Sequence, residues 1–410
     1  MQTTQSSGPL AGTIILDLTT MLSGPMATML LADQGASVIK VERPGEGDYT
    51  RLIGRRNQIM SAMFLNNNRN KQSIAVDLKS EAGIDVVKTL ARKADVLVEN
   101  FRPGVMARLG LSYEEMRTIN SKLIFTSITG FGNTGPWMNK PTYDPLVQAA
   151  SGLATIQAGS DAARPKLVRT ILADKVTALT ASQAIVAALY ARKNSMTGQH
   201  VHISMSDAVR QFLWASDMND HTFVQDDDAQ PPTETKASFV DLIYEVKDGY
   251  LTISVMTDAQ WSALCRVLDR SDLQDDPRFS TAALRELNVD TRLQMTQEAI
   301  IDWPRDRLLN KLEAAHVPCA PVLTRTESYA HPQAIATDAT YELDEPNIGR
   351  IRQARHAAAF EKTPADQRRS APYLGADSVS VLSAIGYSQQ EISTLLSQGV
   401  VTAQVSGADQ

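Results

Sequence analysis

Thr13-Ile14-Ile15-Leu16, then Ser23-Gly24-Pro25-Met26-Ala27-Thr28-Met29-Leu30-Leu31-Ala32, then Gly35-Ala36-Ser37-Val38-Ile39-Lys40-Val41 is the stretch that decides the fold class. The first four residues form a short apolar strand. Pro25 stands at the first helical position, where its missing N–H would have no intrahelical partner anyway. Met26, Met29, Leu30 and Ala32 give a short buried helix that stops at Gly35, and residues 38–41 return as a strand. Strand, helix and strand in such close succession predict parallel pairing and an α/β sheet. Glu42 ends the second strand where a ribose-binding acid would lie. The turn nevertheless lacks Gly-x-Gly-x-x-Gly and Arg43 follows at once, which argues against a nicotinamide cofactor.

The same alternation continues outward. Strands are expected over 73–78, 95–99, 123–127 and 199–205, and helices over 80–91, 112–121 and 144–153. Lys79 falls just past one strand end, and Asn100-Phe101-Arg102-Pro103-Gly104 follows another, at the edge where open α/β sheets bind ligands. Gly130-Phe131-Gly132-Asn133-Thr134-Gly135-Pro136 is a loop that could approach a ligand closely. Arg43, Arg51, Arg55, Arg56 and Arg69 make a local basic cluster, read for most of them as a solvated face. The composition shifts at the acidic, proline-containing segment 226–232, a linker. A hairpin over 239–246 and 250–255 and helices over 261–268, 291–301 and 305–315 follow as a small domain. Residues from 322 return to the main body, with a strand near Ile351 and helices over 379–385 and 390–397.

The chain has 410 residues, too many for one simple core. A net charge of −6 argues against nucleic acid or an anionic membrane as partner, so any grip on a polyanion must come from local basic residues. Two cysteines exclude a disulfide framework and a cysteine-based metal site. His200 and His202 share a strand face, a spacing that can bind metal, but with no carboxylate or thiol at a recognisable spacing they read as packing. No metal site is expected. The first ten residues lack a basic and an apolar segment, and no apolar run reaches the roughly 18 residues of a membrane span. The expectation is a cytoplasmic protein.

Val168-Arg169-Thr170-Ile171-Leu172-Ala173-Asp174-Lys175 opens an alanine-rich helix whose Ala178, Leu179, Ala181, Ala184, Ile185, Ala187, Ala188 and Leu189 leave little polar surface, so it is expected to be buried. Asp174 at its start has two readings. One is an ordinary helix cap. The other is a carboxylate held ionised at the positive end of a buried helix and available as a nucleophile.

Four ordered stretches carry a resemblance. They are Leu16-Asp17-Leu18-Thr19 with the 23–45 segment, Asn70-Lys71-Gln72-Ser73-Ile74-Ala75-Val76-Asp77-Leu78-Lys79, Ala94-Asp95-Val96-Leu97-Val98-Glu99-Asn100-Phe101-Arg102-Pro103-Gly104, and 168–209. Together they resemble the class III CoA-transferases, typified by formyl-CoA transferase and carnitine CoA-transferase. The resemblance implies a Rossmann-like large α/β domain built from both chain ends, a smaller α+β domain between, and an interlocked homodimer. On this plan residues 1–225 begin the large domain, 226–325 form the small domain with its linker, and 326–410 return to the large one. The implied reaction moves coenzyme A from an acyl-CoA, succinyl-CoA or a similar dicarboxylyl-CoA, to a free carboxylic acid. It runs through an aspartyl anhydride and an aspartyl-CoA thioester, with no tightly bound cofactor.

Carried over residue by residue, Asp174 matches the nucleophile, and Arg43 and Lys79 match positions near the nucleotide phosphates. Val76 lies beside the nucleotide, Asn100 and Phe101 along the nucleotide and pantetheine, and Arg108 at a further basic contact. Met205 lies near the thioester, and Met21 and Leu22 near the active centre. Val76, Phe101 and Met205 also read as plain core, and Arg108 as a surface pair. The segment after the linker lacks the glycine run of the formyl-CoA enzymes, and Met21-Leu22 is apolar, which favours a larger acyl group. A 2-methylacyl-CoA racemase of the same superfamily would need a histidine near 141–144, where this chain has Tyr143. A CoA-binding protein without catalysis is the remaining alternative.

Overall fold

The computed structural model describes residues 7–57, 60–224 and 242–404. The expected linker at 226–232 and the first residues of the expected hairpin lie outside them. Two compact units divide the chain: Met1–Val224 with Asp338–Gln410, and Gln225–Thr337.

The larger unit is built on one sheet. Its strands are β1 (Ile14–Asp17), β2 (Ser37–Glu42), β3 (Lys71–Val76), β4 (Val96–Glu99), β5 (Ile124–Thr129) and β6 (His200–Ser204), all parallel, in the order 3-2-1-4-5-6. A strand that packs against layers on both faces is mainly apolar, as Ile14-Ile15-Leu16 of β1 and Val96-Leu97-Val98 of β4 show, while β2 and β3 also bury Lys40 and Lys71. Leu16, Ile39, Ile74, Leu97 and Phe125 point to one face, toward the Glu81–Lys93 helix. Ile15, Val38, Val96, Val98 and Ile124 point to the other, with Leu31 of the Ser23–Asp33 helix and Ile185 of the Leu172–Ser195 helix. Strand order reverses between β1 and β4, which opens a crevice at their C-terminal ends.

In the smaller unit, β7 (Ile243–Val246), β8 (Gly249–Ile253) and β9 (Cys319–Pro321) form an antiparallel sheet. Tyr244, Trp261, Phe279, Ile300 and Leu308 fill its core. The chain then adds β10 (Thr340–Glu345) and β11 (Gly349–Ala354) to the larger unit as a hairpin, followed by helices Ser378–Ile385 and Gln389–Ser397. A two-residue strand, β12 (Val401–Thr402), pairs antiparallel with β3 and covers that edge of the sheet.

Two expectations change. The Leu172–Ser195 helix is buried on one face only, through Ala173, Thr177, Ala178, Ala181, Ile185, Ala188 and Leu189. Its other face leaves Leu179 55% and Tyr190 70% exposed. By length and composition alone this 24-residue helix is long and apolar enough to cross a membrane, a test that the core helix of a soluble protein also passes. Nor is the basic cluster a uniformly solvated face. Arg51 is buried and forked onto Glu42 through two 2.8 Å bonds, and Arg69 is buried against Asp33 at 2.7 Å. Glu42 is thereby occupied, and no ribose acid is left at the end of β2.

Asp17 and Lys71 are fully buried and 2.9 Å apart. Lys71 spends its remaining donors on the Pro25 carbonyl and Asn68 Oδ1, at 2.9 and 2.8 Å. Burial holds the Lys71 ammonium down at about 8, with Asp17 opposing. Removing one member of such a pair strands the other charge. Lys71→Met should therefore destabilise the protein by about 3–5 kcal/mol in a denaturant titration at pH 7, and adding Asp17→Asn should recover much of that loss.

Candidate active site

Parallel pairing sends the C-terminal ends of β1 to β6 to one edge, and most residues singled out in the sequence follow those ends. Met21 and Leu22 come after β1, Arg43 directly after β2, Lys79 shortly after β3, and Asn100 and Phe101 directly after β4. Met205 starts the helix that leaves β6 without a loop, and Arg108 ends the short helix Val105–Arg108. Their surroundings differ. Val76 is wholly buried within β3, and Met205 is buried among apolar neighbours. Phe101 is half-buried, and its N–H donates to Glu99 Oε2 at 2.9 Å. Arg43 is exposed and ion-paired with Glu46. Lys79 and Arg108 are exposed and form no ion pair among the described residues. Asn100 is committed to the backbone: its Oδ1 accepts from Thr20 N–H at 2.9 Å and its Nδ2 donates to Thr20 O at 2.8 Å. That reciprocal pair spans the β1/β4 crevice.

Asp174 lies in the first turn of its helix, but the capping position is Ile171, which makes no side-chain cap bond. The carboxylate is mostly buried and turned to other partners. Burial first, and the Asp144 carboxylate second, push the Asp174 carboxyl up to about 6, while hydrogen bonding from the Ser23 hydroxyl and N–H works against them. Asp144 is itself buried. Its Oδ2 accepts the Asp174 N–H at 3.2 Å, and its Oδ1 accepts from Gln148 Nε2. Gln148 in turn holds the incoming loop, accepting the Val168 N–H at 2.9 Å. Neither Ser23 nor Asp144 was singled out from the sequence. Asp144 stood there only as a helix opener, and its contact with Asp174 crosses 30 residues. At pH 7 a carboxyl near 6 is ionised by roughly ten to one, so this group is charged, poorly solvated and close to its protonation point.

The loop carrying Ser23 is tightly held. Met21 has φ of +70°, a left-handed conformation that costs a non-glycine residue about 1–2 kcal/mol. Gly24 packs directly on Thr19, since a Cβ on Gly24 would lie 2.3 Å from the Thr19 Cβ. Away from that edge, at the start and middle of β6, the His200 and His202 rings stack with centroids 3.7 Å apart, and His200 Nε2 lies 2.9 Å from Ser127 Oγ. Among the described residues no group of three or more His, Cys, Asp or Glu is placed to hold a metal ion.

Comparison with known proteins adds the chemistry. A model described as CoA-transferase family III matches residues 10–378. A human protein named succinyl-CoA:glutarate CoA-transferase is 34% identical over 402 residues, covering 96% of this chain and 90% of the relative. An Acetobacter aceti protein named acetyl-CoA:oxalate CoA-transferase is 35% identical over 342 residues, covering 80% of this chain and 84% of the relative. Among solved structures, a CAIB/BAIF family protein from Brucella suis superposes with a TM-score of 0.80 at 30% identity, covering 92% of this chain and 99% of that one.

The raised carboxyl also predicts a stability signature. The folded state holds the Asp174 proton more tightly than the unfolded chain, so this group's contribution is full below about 4 and is lost as pH rises through about 6. Asp174→Asn escapes that loss. It should be more stable than the unmodified protein at pH 8, by on the order of 2–3 kcal/mol, with the gain vanishing near pH 4. Denaturant midpoints at the two pH values measure this directly.

Proposed function

This chain belongs to CoA-transferase family III, and from that premise we propose that it carries coenzyme A from an acyl-CoA to a free carboxylic acid through covalent catalysis by Asp174. The observation that carries this reading is the state of Asp174: mostly buried, raised in pKa, free of any capping bond and faced by the donors of Ser23. A carboxylate in bulk water is a weak nucleophile, and one that is desolvated and oriented against a bound thioester is a better one.

The steps balance as follows. A carboxylate oxygen of Asp174 attacks the thioester carbonyl, and the C–S bond breaks to release CoA thiolate and leave a mixed anhydride. The thiolate attacks the aspartyl carbonyl, expelling the donor acid as a carboxylate and leaving aspartyl-CoA. The acceptor carboxylate attacks the aspartyl carbonyl of that thioester and expels CoA thiolate, leaving a second anhydride. The thiolate then attacks the acceptor's acyl carbonyl, forming the new acyl-CoA and expelling Asp174 as a carboxylate. No metal, no redox partner and no tightly bound cofactor enters. Coenzyme A is a substrate throughout.

We assign succinyl-CoA or a similar dicarboxylyl-CoA as donor, in keeping with the human relative's name and with the apolar Met21 and Leu22 beside the site. Arg43, Lys79 and Arg108 are the exposed cations for the CoA phosphates, and Val76, Phe101 and Met205 its apolar surroundings. An interlocked homodimer accounts for the apolar surface left by Leu179, Val186, Tyr190, Phe212 and Trp214 on adjacent helices. Two unpaired cysteines, Cys265 and Cys319, suit a reducing cytoplasm.

Brief exposure to succinyl-CoA alone should leave a hydroxylamine-sensitive, CoA-sized adduct in the intact-mass spectrum, absent from Asp174→Ala. The rate of its formation should fall as pH drops below about 6, where Asp174 takes up a proton. An equal adduct on Asp174→Ala, or none on a protein that still binds CoA, would refute the assignment.

A further inference from the structure

Five residues, Leu18 to Leu22, join β1 to the helix that begins at Ser23, and side chains hold the backbone of Thr19, Thr20 and Met21. Thr19 N–H donates to Asp17 Oδ1 at 2.9 Å, and Lys40 Nζ donates to Thr19 O at 2.7 Å. Asn100 takes both polar groups of Thr20. Met21 N–H donates to Asp48 Oδ1 at 3.2 Å. Asp17, Lys40 and Asp48 are all buried, and three ionisable groups in a dry interior are a large commitment for so short a turn.

Lys40 and Asp48 form the centre of this arrangement. Lys40 Nζ lies 3.0 Å from Asp48 Oδ2, an ion pair between two fully buried side chains. Asp48 Oδ1 also accepts the N–H and hydroxyl of Thr50, at 2.9 and 2.8 Å, and Asp48 N–H donates to Glu42 Oε2 at 3.0 Å. Asp48 is thus fixed from several sides before it touches Met21. Strained backbone persists only where its surroundings over-determine it, and it concentrates at functional sites. Here the strained residue stands two positions before Ser23, whose hydroxyl and N–H meet Asp174.

We propose that the Lys40–Asp48 pair is a positioning device for the covalent step: it locks the left-handed turn at Met21 and so holds the two donors of Ser23 against the nucleophile. Neither residue touches a reacting atom. Their effect reaches Asp174 through the turn, and the proposal rests on Asp174 being the nucleophile. During transfer the same donors face whichever aspartyl oxygen carries charge, so a small slip of the turn acts on the rate of adduct formation and not on the grip on coenzyme A.

Asp48→Asn and the milder Thr50→Val, which removes one hydroxyl bond and leaves the ion pair intact, test this. Single-turnover adduct formation with succinyl-CoA should slow by on the order of tenfold in Asp48→Asn and less in Thr50→Val, with CoA dissociation constants within about twofold of the unmodified protein. Loss of the Ser23 donors should also move the acid-side midpoint of adduct formation to higher pH, which a partly unfolded population would not do. If Asp48→Asn does not fold, the midpoint shift in Thr50→Val carries the test. Unchanged rate and midpoint in folded variants, or a slower rate with an unmoved midpoint, would overturn the proposal. If the unmodified protein forms no adduct, the nucleophile reading falls and takes the positioning role with it; an adduct with unaffected variants removes the positioning role alone.

Discussion

A charge taken out of water must find a partner, and in the larger unit that requirement shapes the whole ligand edge of the sheet. Asp17, Lys71, Lys40, Asp48, Glu42 and Arg51 are buried in succession, each within ion-pair or hydrogen-bond reach of another. Burial alone would raise the Asp17 and Asp48 carboxyls, yet both are held below the usual range by the lysines beside them. Asp174 is the contrasting case. It is mostly buried with a second carboxylate nearby and no cation among the influences that set its pKa, so unlike the Asp17 and Asp48 carboxyls it is pushed toward neutrality. Paired charges build the scaffold, and the proposed nucleophile is a buried carboxylate with no cation beside it.

The fold divides the labour in the same way. Six parallel strands, all but the edge strand β6 largely buried, form a rigid plate, and β12 with the C-terminal helices seals one side of it. Asp377 Oδ2 accepts the Ser73 N–H at 2.9 Å, where a neighbouring strand would otherwise be needed. The loops and helices leaving the plate carry most of the candidate site residues. Tolerance for strain at Met21 follows from that rigidity, because the plate fixes Asp17, Lys40 and Asn100 on three adjacent strands or their ends.

Much of this was legible in the sequence, for identifiable reasons. Strands β1 to β5 show in the sequence through short apolar runs between turn signals, and β6 through the alternation that puts His200 and His202 on one face. Asp174 was singled out because its position in a recognisable series of motifs outweighed the ordinary habit of aspartate to cap helices, and the structure puts Ile171 rather than Asp174 at the capping position. What escaped depends on distance along the chain. Arg51 and Arg69 find their carboxylates 9 and 36 residues away, and Asn100 meets Thr20 across 80. Strand β10, Thr-Tyr-Glu-Leu-Asp-Glu, is too polar to stand out without its partner β11. The half-exposed face of the Leu172–Ser195 helix escaped for another reason: alanine and leucine have the same composition whether they meet a core, a second subunit or water.

The central claim is that an oxygen of Asp174 is covalently engaged and then returned. It is tested most directly by running the transfer with an acceptor acid labelled with ¹⁸O in its carboxylate and weighing the peptide that contains Asp174. The acceptor's oxygen becomes the anhydride bridge and stays with the aspartate when the thiolate departs with the acyl carbon. The account therefore predicts ¹⁸O at Asp174 after turnover. Product formation with no label in that peptide would contradict it.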